Sequence, residues 1–166
     1  MKKFDVKNLI LDDNDVENKI KRIGLEIIED NIDESDLIIF GVSDNGELLS
    51  NKLTNHISKI SKIKTEIIKV NIDPDKVINF SKKFNISNKP IIVVGDVSQS
   101  GETFQIVISN LMISKPSKIK TAVIVNRDQA LFPVKIDYSG LSLSTSVNEH
   151  VDLLVDKNGR CSVYLS

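Results

Sequence analysis

Apolar residues along this chain fall into two alternating rhythms. Short β-branched runs recur at Leu37–Phe40 (LIIF), Thr65–Val70 (TEIIKV), Ile91–Val94 (IIVV) and Lys120–Val125 (KTAVIV). Such runs read as strands buried on both faces. Between them the period changes. After the apolar stretch Asn8–Leu11, Val16, Ile20, Ile23 and Ile27 follow at spacings of four, three and four, one face of a helix that Asp13 or Asn14 would cap. Leu49, Leu53, Ile57 and Ile60 mark a second helix, and Phe104, Val107, Ile108 and Leu111 a third. Strand and helix in alternation predict an α/β fold, a central, mainly parallel sheet flanked by helices. Asn71–Lys89 is polar and weakly periodic, which predicts a long loop or hairpin. Beyond Pro133, the stretches Lys135–Tyr138, Val151–Leu154 and Ser162–Leu165 predict edge strands or a small β extension, with a hairpin turn at Asp156-Lys157-Asn158-Gly159. The length of 166 residues fits one domain with a small hood.

Ligands of open α/β sheets bind beyond the carboxyl ends of the strands. Three segments are expected to meet there: Gly41–Gly46, Gly95–Thr103 and Asn126–Pro133. The second carries the densest chemistry. Pro90–Phe104 reads PIIVVGDVSQSGETF, a strand running into an acid, a serine-rich turn and a helix start. Backbone N–H groups and the helix dipole at such a turn suit a phosphate. Val97, Ser98, Gln99, Ser100, Gly101, Glu102 and Thr103 would surround it, and Asp96 would accept hydrogen bonds from neighbouring sugar hydroxyls. Arg127 in the third segment offers a planar fork for a phosphate, a carboxylate or a stacked ring.

Composition narrows the classes. Hydrophobic residues make up 40% and charged residues 27%, which argues against global disorder. A net charge of −1 provides no field to recruit nucleic acid or an anionic membrane, so an RNA-binding role is disfavoured. The single cysteine, Cys161, allows no intrachain disulfide and fits a reducing compartment. The start Met1-Lys2-Lys3-Phe4-Asp5 lacks the apolar core of a signal peptide, and no run approaches the ~18 apolar residues of a membrane span. A cytoplasmic protein is expected. His56 and His150 stand alone, without a spacing partner for a metal or a triad.

Gly95–Thr103 resembles the phosphoribosyl-pyrophosphate motif of type I phosphoribosyltransferases: an apolar strand, two acids, three variable residues, Thr/Ser-Gly, any residue, Thr. The flanking chain is similar to one branch, the pyrimidine operon attenuator/uracil phosphoribosyltransferases. Asn8–Asp30 resembles its opening helix, Phe40–Leu48 its pyrophosphate loop, and Ala122–Ser146 its base-side segment, through Arg127, Pro133, the Asp137-Tyr138-Ser139-Gly140 run and Thr145-Ser146. The resemblance implies a type I phosphoribosyltransferase fold, a sugar phosphate or nucleotide ligand, Mg²⁺ carried in with that ligand, and a homodimer. It places the 5′-phosphate at 97–103, the ribose at a catalytic Asp96, the pyrophosphate at Val42, Ser43, Asp44, Asn45 and Gly46, and the base beside Arg127.

The departures from the pattern are chemical. The first of the two acids is Gly95 here, so only Asp96 remains. The branch's pyrophosphate loop, Gly-Ile-Lys-Thr-Arg-Gly, reads Gly41-Val42-Ser43-Asp44-Asn45-Gly46, with both cations gone and an acid gained. The closing loop Val70–Asp75 has acids and no Arg, and a Gly-His-Arg cluster after Arg127 has become Asp128-Gln129-Ala130. Each lost charged hydrogen bond is worth about 1.5–3 kcal/mol, so losing two or three predicts a transfer rate lower by about 10³ or more. The rival to an active transferase is a nucleotide-binding regulatory protein on the same fold. A phosphorylation receiver is excluded by Gly41, which stands where that fold needs its phospho-accepting aspartate.

Overall fold

The structure, a computed structural model, describes residues 7–146 and 148–166; the chain's first five residues, read above for a signal peptide, lie outside them. Six strands form the main sheet in the order β4-β3-β2-β5-β6-β7. They are β2 (Asp36–Val42), β3 (Lys64–Ile72), β4 (Ile78–Phe80), β5 (Pro90–Ser98), β6 (Lys118–Arg127) and β7 (Tyr138–Leu143). All neighbours run parallel except β4, which pairs antiparallel with β3 and so makes Asn71–Lys89 a hairpin. The other strands, β1 (Asn8–Leu11), β8 (Val151–Val155) and β9 (Cys161–Leu165), form a small antiparallel sheet in the order β1-β9-β8. This is the hood. Its β8–β9 turn closes at Gly159, whose φ of 76° requires a glycine or a residue tolerant of the left-handed region.

Alternation within each strand sorts the core into two layers. Leu37 and Ile39 of β2, Ile92 and Val94 of β5 and Ala122 and Ile124 of β6 face α1 (Asp13–Asp30), α2 (Ser43–Ile60) and the hood. Ile38, Phe40, Ile91, Val93 and Val123 face the other way, towards α3 (Glu102–Met112). Burial on both faces explains the unbroken apolar runs. Phe40, Phe80 and Phe84 pack edge to face beneath the hairpin, with centroids 4.8–5.9 Å apart.

Several local expectations are corrected. The cap of α1 is Asp12, which accepts from Asp15 N–H while Asp15 accepts from Asp12 N–H. This reciprocal pair satisfies two amides that Asp13 or Asn14 would leave open. The last main-sheet strand starts at Tyr138, not at Lys135, and runs parallel to β6. Asp137 explains the shift: its carboxylate takes the Thr121 N–H at 3.0 Å and steers the chain onto the sheet edge. His56 meets Glu17 across the two helices at 3.4 Å. Among the described residues no helix is long and apolar enough to cross a membrane.

Candidate functional site

The parallel strands β2 and β5 are hydrogen-bonded neighbours, and each feeds a helix at its carboxyl end. The β5–α3 junction keeps a loop. The strand continues to Ser98, Gln99–Gly101 turn, and α3 begins at Glu102. Gly101 sits at φ 82°, and Ser100 Oγ accepts the Glu102 N–H at 3.2 Å. The remaining first-turn amides of α3 have no acceptor within the helix. Residues Val97 through Phe104 border a cavity of about 270 Å³. Ser98 is buried, while Gln99 and Thr103 are exposed. Glu102 at its rim is paired with Lys76 from the turn between β3 and β4.

The β2–α2 junction has no loop. The strand ends at Val42 and the helix starts at Ser43, where the sequence suggested an open Gly41–Gly46 turn. The cause is close backbone packing. A Cβ on Gly41 would lie 2.8 Å from Gly46 O and from Glu47 Cα, and a Cβ on Gly46 would lie 2.7 Å from Val94 O. The bend falls on Ser43, a non-glycine residue at φ 66°. Asp44 is almost fully exposed and, with Glu47 3.1 Å away, surrounds the Lys69 ammonium. Hydrogen bonds to Asp44 and Glu47 push the Lys69 pKa above its ordinary value.

Asp96 and Asn45 join the two junctions. Period-two alternation along β5 sends Gly95 towards α3 and Asp96 towards α2 and the hood. Asp96 Oδ1 accepts the Val97 N–H at 2.8 Å, and Oδ2 accepts from Asn45 Nδ2 at 2.8 Å. Asn45 Nδ2 also donates to the Leu153 carbonyl of β8 at 3.2 Å, which ties the hood to the sheet edge. On the opposite face of β5, a Cβ on Gly95 would lie 3.0 Å from the Phe104 ring. The space beside the absent first acid is therefore filled by an aromatic side chain.

The third segment also arrives at this edge. Leu131 and Phe132 donate their N–H groups to Ser100 O at 2.8 and 3.1 Å. Arg127 is not on the loop, however. It is the last residue of β6, 4% exposed, with Nε and Nη2 on Thr145 Oγ1 at 2.8 and 2.5 Å and Nη2 also on Gln129 Oε1 and Ser146 O. Its guanidinium closes the 144–146 strap over the strand ends. The sequence reading gave Lys69, Lys76 and the Leu153 carbonyl no place at this edge, and read Phe104 only as part of a helix face. Lys69 left one signal, its strand parity with Ile67; the structure sets it beside Gly41 in the β2–β3 register.

Among the described residues no three His, Cys, Asp or Glu side chains gather as metal ligands. An ion carried in by a ligand's phosphates would need no such protein cage.

Comparison with known proteins agrees with this geometry. The chain is 29% identical to the bifunctional protein PyrR of Leuconostoc citreum over 93% of this chain and 95% of that one. It is 31% identical to the PyrR of Caldicellulosiruptor bescii over 89% and 88%. In fold it superimposes on a hypoxanthine phosphoribosyltransferase of Trypanosoma cruzi with a TM-score of 0.81 at 14% identity, covering 95% of each chain. A hypoxanthine-guanine phosphoribosyltransferase of Bacillus anthracis gives 0.78 at 18%, covering 96% of this chain and 97% of that one. The model of the phosphoribosyl transferase domain matches residues 8–158, a span that takes in both strand-to-helix junctions, and by that match the chain belongs to the phosphoribosyl transferase family.

Proposed function

We propose that this chain binds a ligand built on 5′-phosphorylated ribose, either phosphoribosyl pyrophosphate or a pyrimidine nucleoside monophosphate, and that it transfers phosphoribosyl to a base slowly or not at all. The observation that carries the reading is the contrast around Asp96. An open backbone cavity at Val97–Phe104 adjoins it, while Phe104 fills the space beside Gly95 and Asn45 holds its outer oxygen. In this reading the amides and hydroxyls of 97–103 receive the 5′-phosphate. Asp96 accepts from a ribose hydroxyl, its orientation fixed by Val97 N–H. The strap held by Arg127 and Thr145 shapes the base side. Mg²⁺ arriving with a diphosphate ligand would screen the phosphate charges. The leaving diphosphate meets Ser43, Asp44 and Asn45, which supply no cation to stabilise it.

The test is a calorimetric titration with uridine 5′-monophosphate and with Mg²⁺ phosphoribosyl pyrophosphate, alongside pyrophosphate release with uracil. Binding of at least one ligand is expected, with turnover at least about 10³ below the usual 1–10³ s⁻¹ of enzymes. Absence of binding by either would overturn the site, and ordinary turnover would overturn the claim of weak transfer.

A further inference from the structure

We infer that the site selects a ribose 5-monophosphate over the same sugar carrying a 1-diphosphate. This rests on the reading that the cavity at Val97–Phe104 takes the 5′-phosphate. Its own basis is the charge and donor inventory at the start of α2, where the diphosphate would lie.

Two carboxylates stand there, Asp44 and Glu47, against one ammonium, Lys69, so the face is left with one negative charge. The Lys69 charge is already shared by Asp44 and Glu47. Asn45, which replaces a cation of the family pattern, has two amide hydrogens to give. Both are spent, on Asp96 Oδ2 at 2.8 Å and Leu153 O at 3.2 Å, and its free oxygen is an acceptor that repels an anion. The first-turn amides of α2 remain, but their partial positive charge is already complemented by Asp44. An incoming diphosphate must therefore displace carboxylates rather than meet free donors. The other junction is different. Of its carboxylates, Asp96 already accepts from Val97 N–H and Asn45, Glu102 is neutralised by Lys76, and hydroxyls and amides line the rest. Like charge set against a ligand adds discrimination to that of a missing attraction.

Ribose 5-phosphate and 5-phosphoribosyl 1-pyrophosphate differ only in the group at issue, so they are the probes. Each is titrated calorimetrically into the full chain with Mg²⁺ at two salt concentrations. Ribose 5-phosphate is expected to bind more tightly. Added salt should shift the ratio towards the diphosphate, because screening weakens repulsion. Asp44→Asn with Glu47→Gln should improve the diphosphate relative to the monophosphate by about three- to tenfold. Equal or tighter binding of the diphosphate by the unaltered chain overturns the inference, as does a salt effect of opposite sign. If both ligands bind with the diphosphate preferred, this inference fails while the site assignment stands. If neither binds, the site assignment fails and takes the inference with it.

Discussion

The β2–α2 and β5–α3 junctions are the same device on adjacent parallel strands, built by opposite means. At β5–α3 the turn through Gly101 leaves a cavity bordered by Val97–Phe104 open. At β2–α2 the chain packs without a loop, and what is presented to solvent is side-chain charge. The difference teaches where a binding site tolerates sequence change. A backbone cradle survives substitution as long as its φ angles and spacing survive. A side-chain cradle changes its chemistry with each residue, and here Ser43 and Asn45 offer no cation.

The largest expected effect tests the packing half of that contrast. Gly46→Ala drives a Cβ to 2.7 Å from Val94 O, a clash with backbone that no rotamer relieves. It should cost about 3 kcal/mol. Gly101→Ala meets its nearest neighbour at an ordinary 3.5 Å and suffers only from the φ of 82°, for about 1–2 kcal/mol. Urea denaturation of both variants measures the gap. Equal costs would break the comparison.

Next comes the absent acid. Gly95→Asp pushes a carboxylate towards the Phe104 ring, 3.0 Å from the new Cβ, and should cost about 2 kcal/mol. Phe104→Leu opens that space. The two changes should couple by about 1 kcal/mol or more in a double-mutant cycle on stability. Strict additivity would show that the ring does not occupy the acid's place.

These two cases also mark what the sequence could disclose. The α/β fold was legible because period-two and period-3.6 patterns are local: IIVV in Ile91–Val94 and the Val16, Ile20, Ile23, Ile27 stripe each report their own burial. The family was legible because Gly95–Thr103 is contiguous. What escaped depends on contacts between distant segments. Gly41–Gly46 read as a loop at the strand ends, whereas its glycines let α2 start against the ends of β2 and β5. The partners of Arg127 were not legible, because nothing local announces Thr145 and Ser146, 18 and 19 residues on. The main-sheet strand at Tyr138–Leu143 was misplaced because its sequence, YSGLSL, is too polar for a buried run; as an edge strand it needs burial on fewer sides.

Asn45 tests the link between the two junctions, with a smaller effect. Asn45→Ala removes the donors to Asp96 and to Leu153 O, and should cost about 1.5 kcal/mol. Ser100→Ala, which removes only a local acceptor for Glu102 N–H, should cost less, about 1 kcal/mol. The informative readout is hydrogen exchange in β8: Asn45→Ala should raise exchange along Val151–Val155, and Ser100→Ala should leave it unchanged. Exchange unaltered by Asn45→Ala would mean that the hood does not depend on the junction.

The smallest effect concerns the charges themselves. Hydrogen bonds to Asp44 and Glu47 hold the Lys69 ammonium above the ordinary lysine value of 10.5. A raised lysine pKa supports the folded state fully below the ordinary value and loses that support as pH climbs through the raised one. The effect therefore belongs to the alkaline limb, and nothing should change between pH 6 and pH 9. Asp44→Asn and Glu47→Gln should each lower the Lys69 titration, followed by NMR of the side-chain resonances, and the double change should return it close to 10.5. A titration unmoved by both would mean that the two carboxylates do not hold this ammonium in solution. The start of α2 would then own a free cation, and the contrast between its two neighbouring junctions would rest on packing alone.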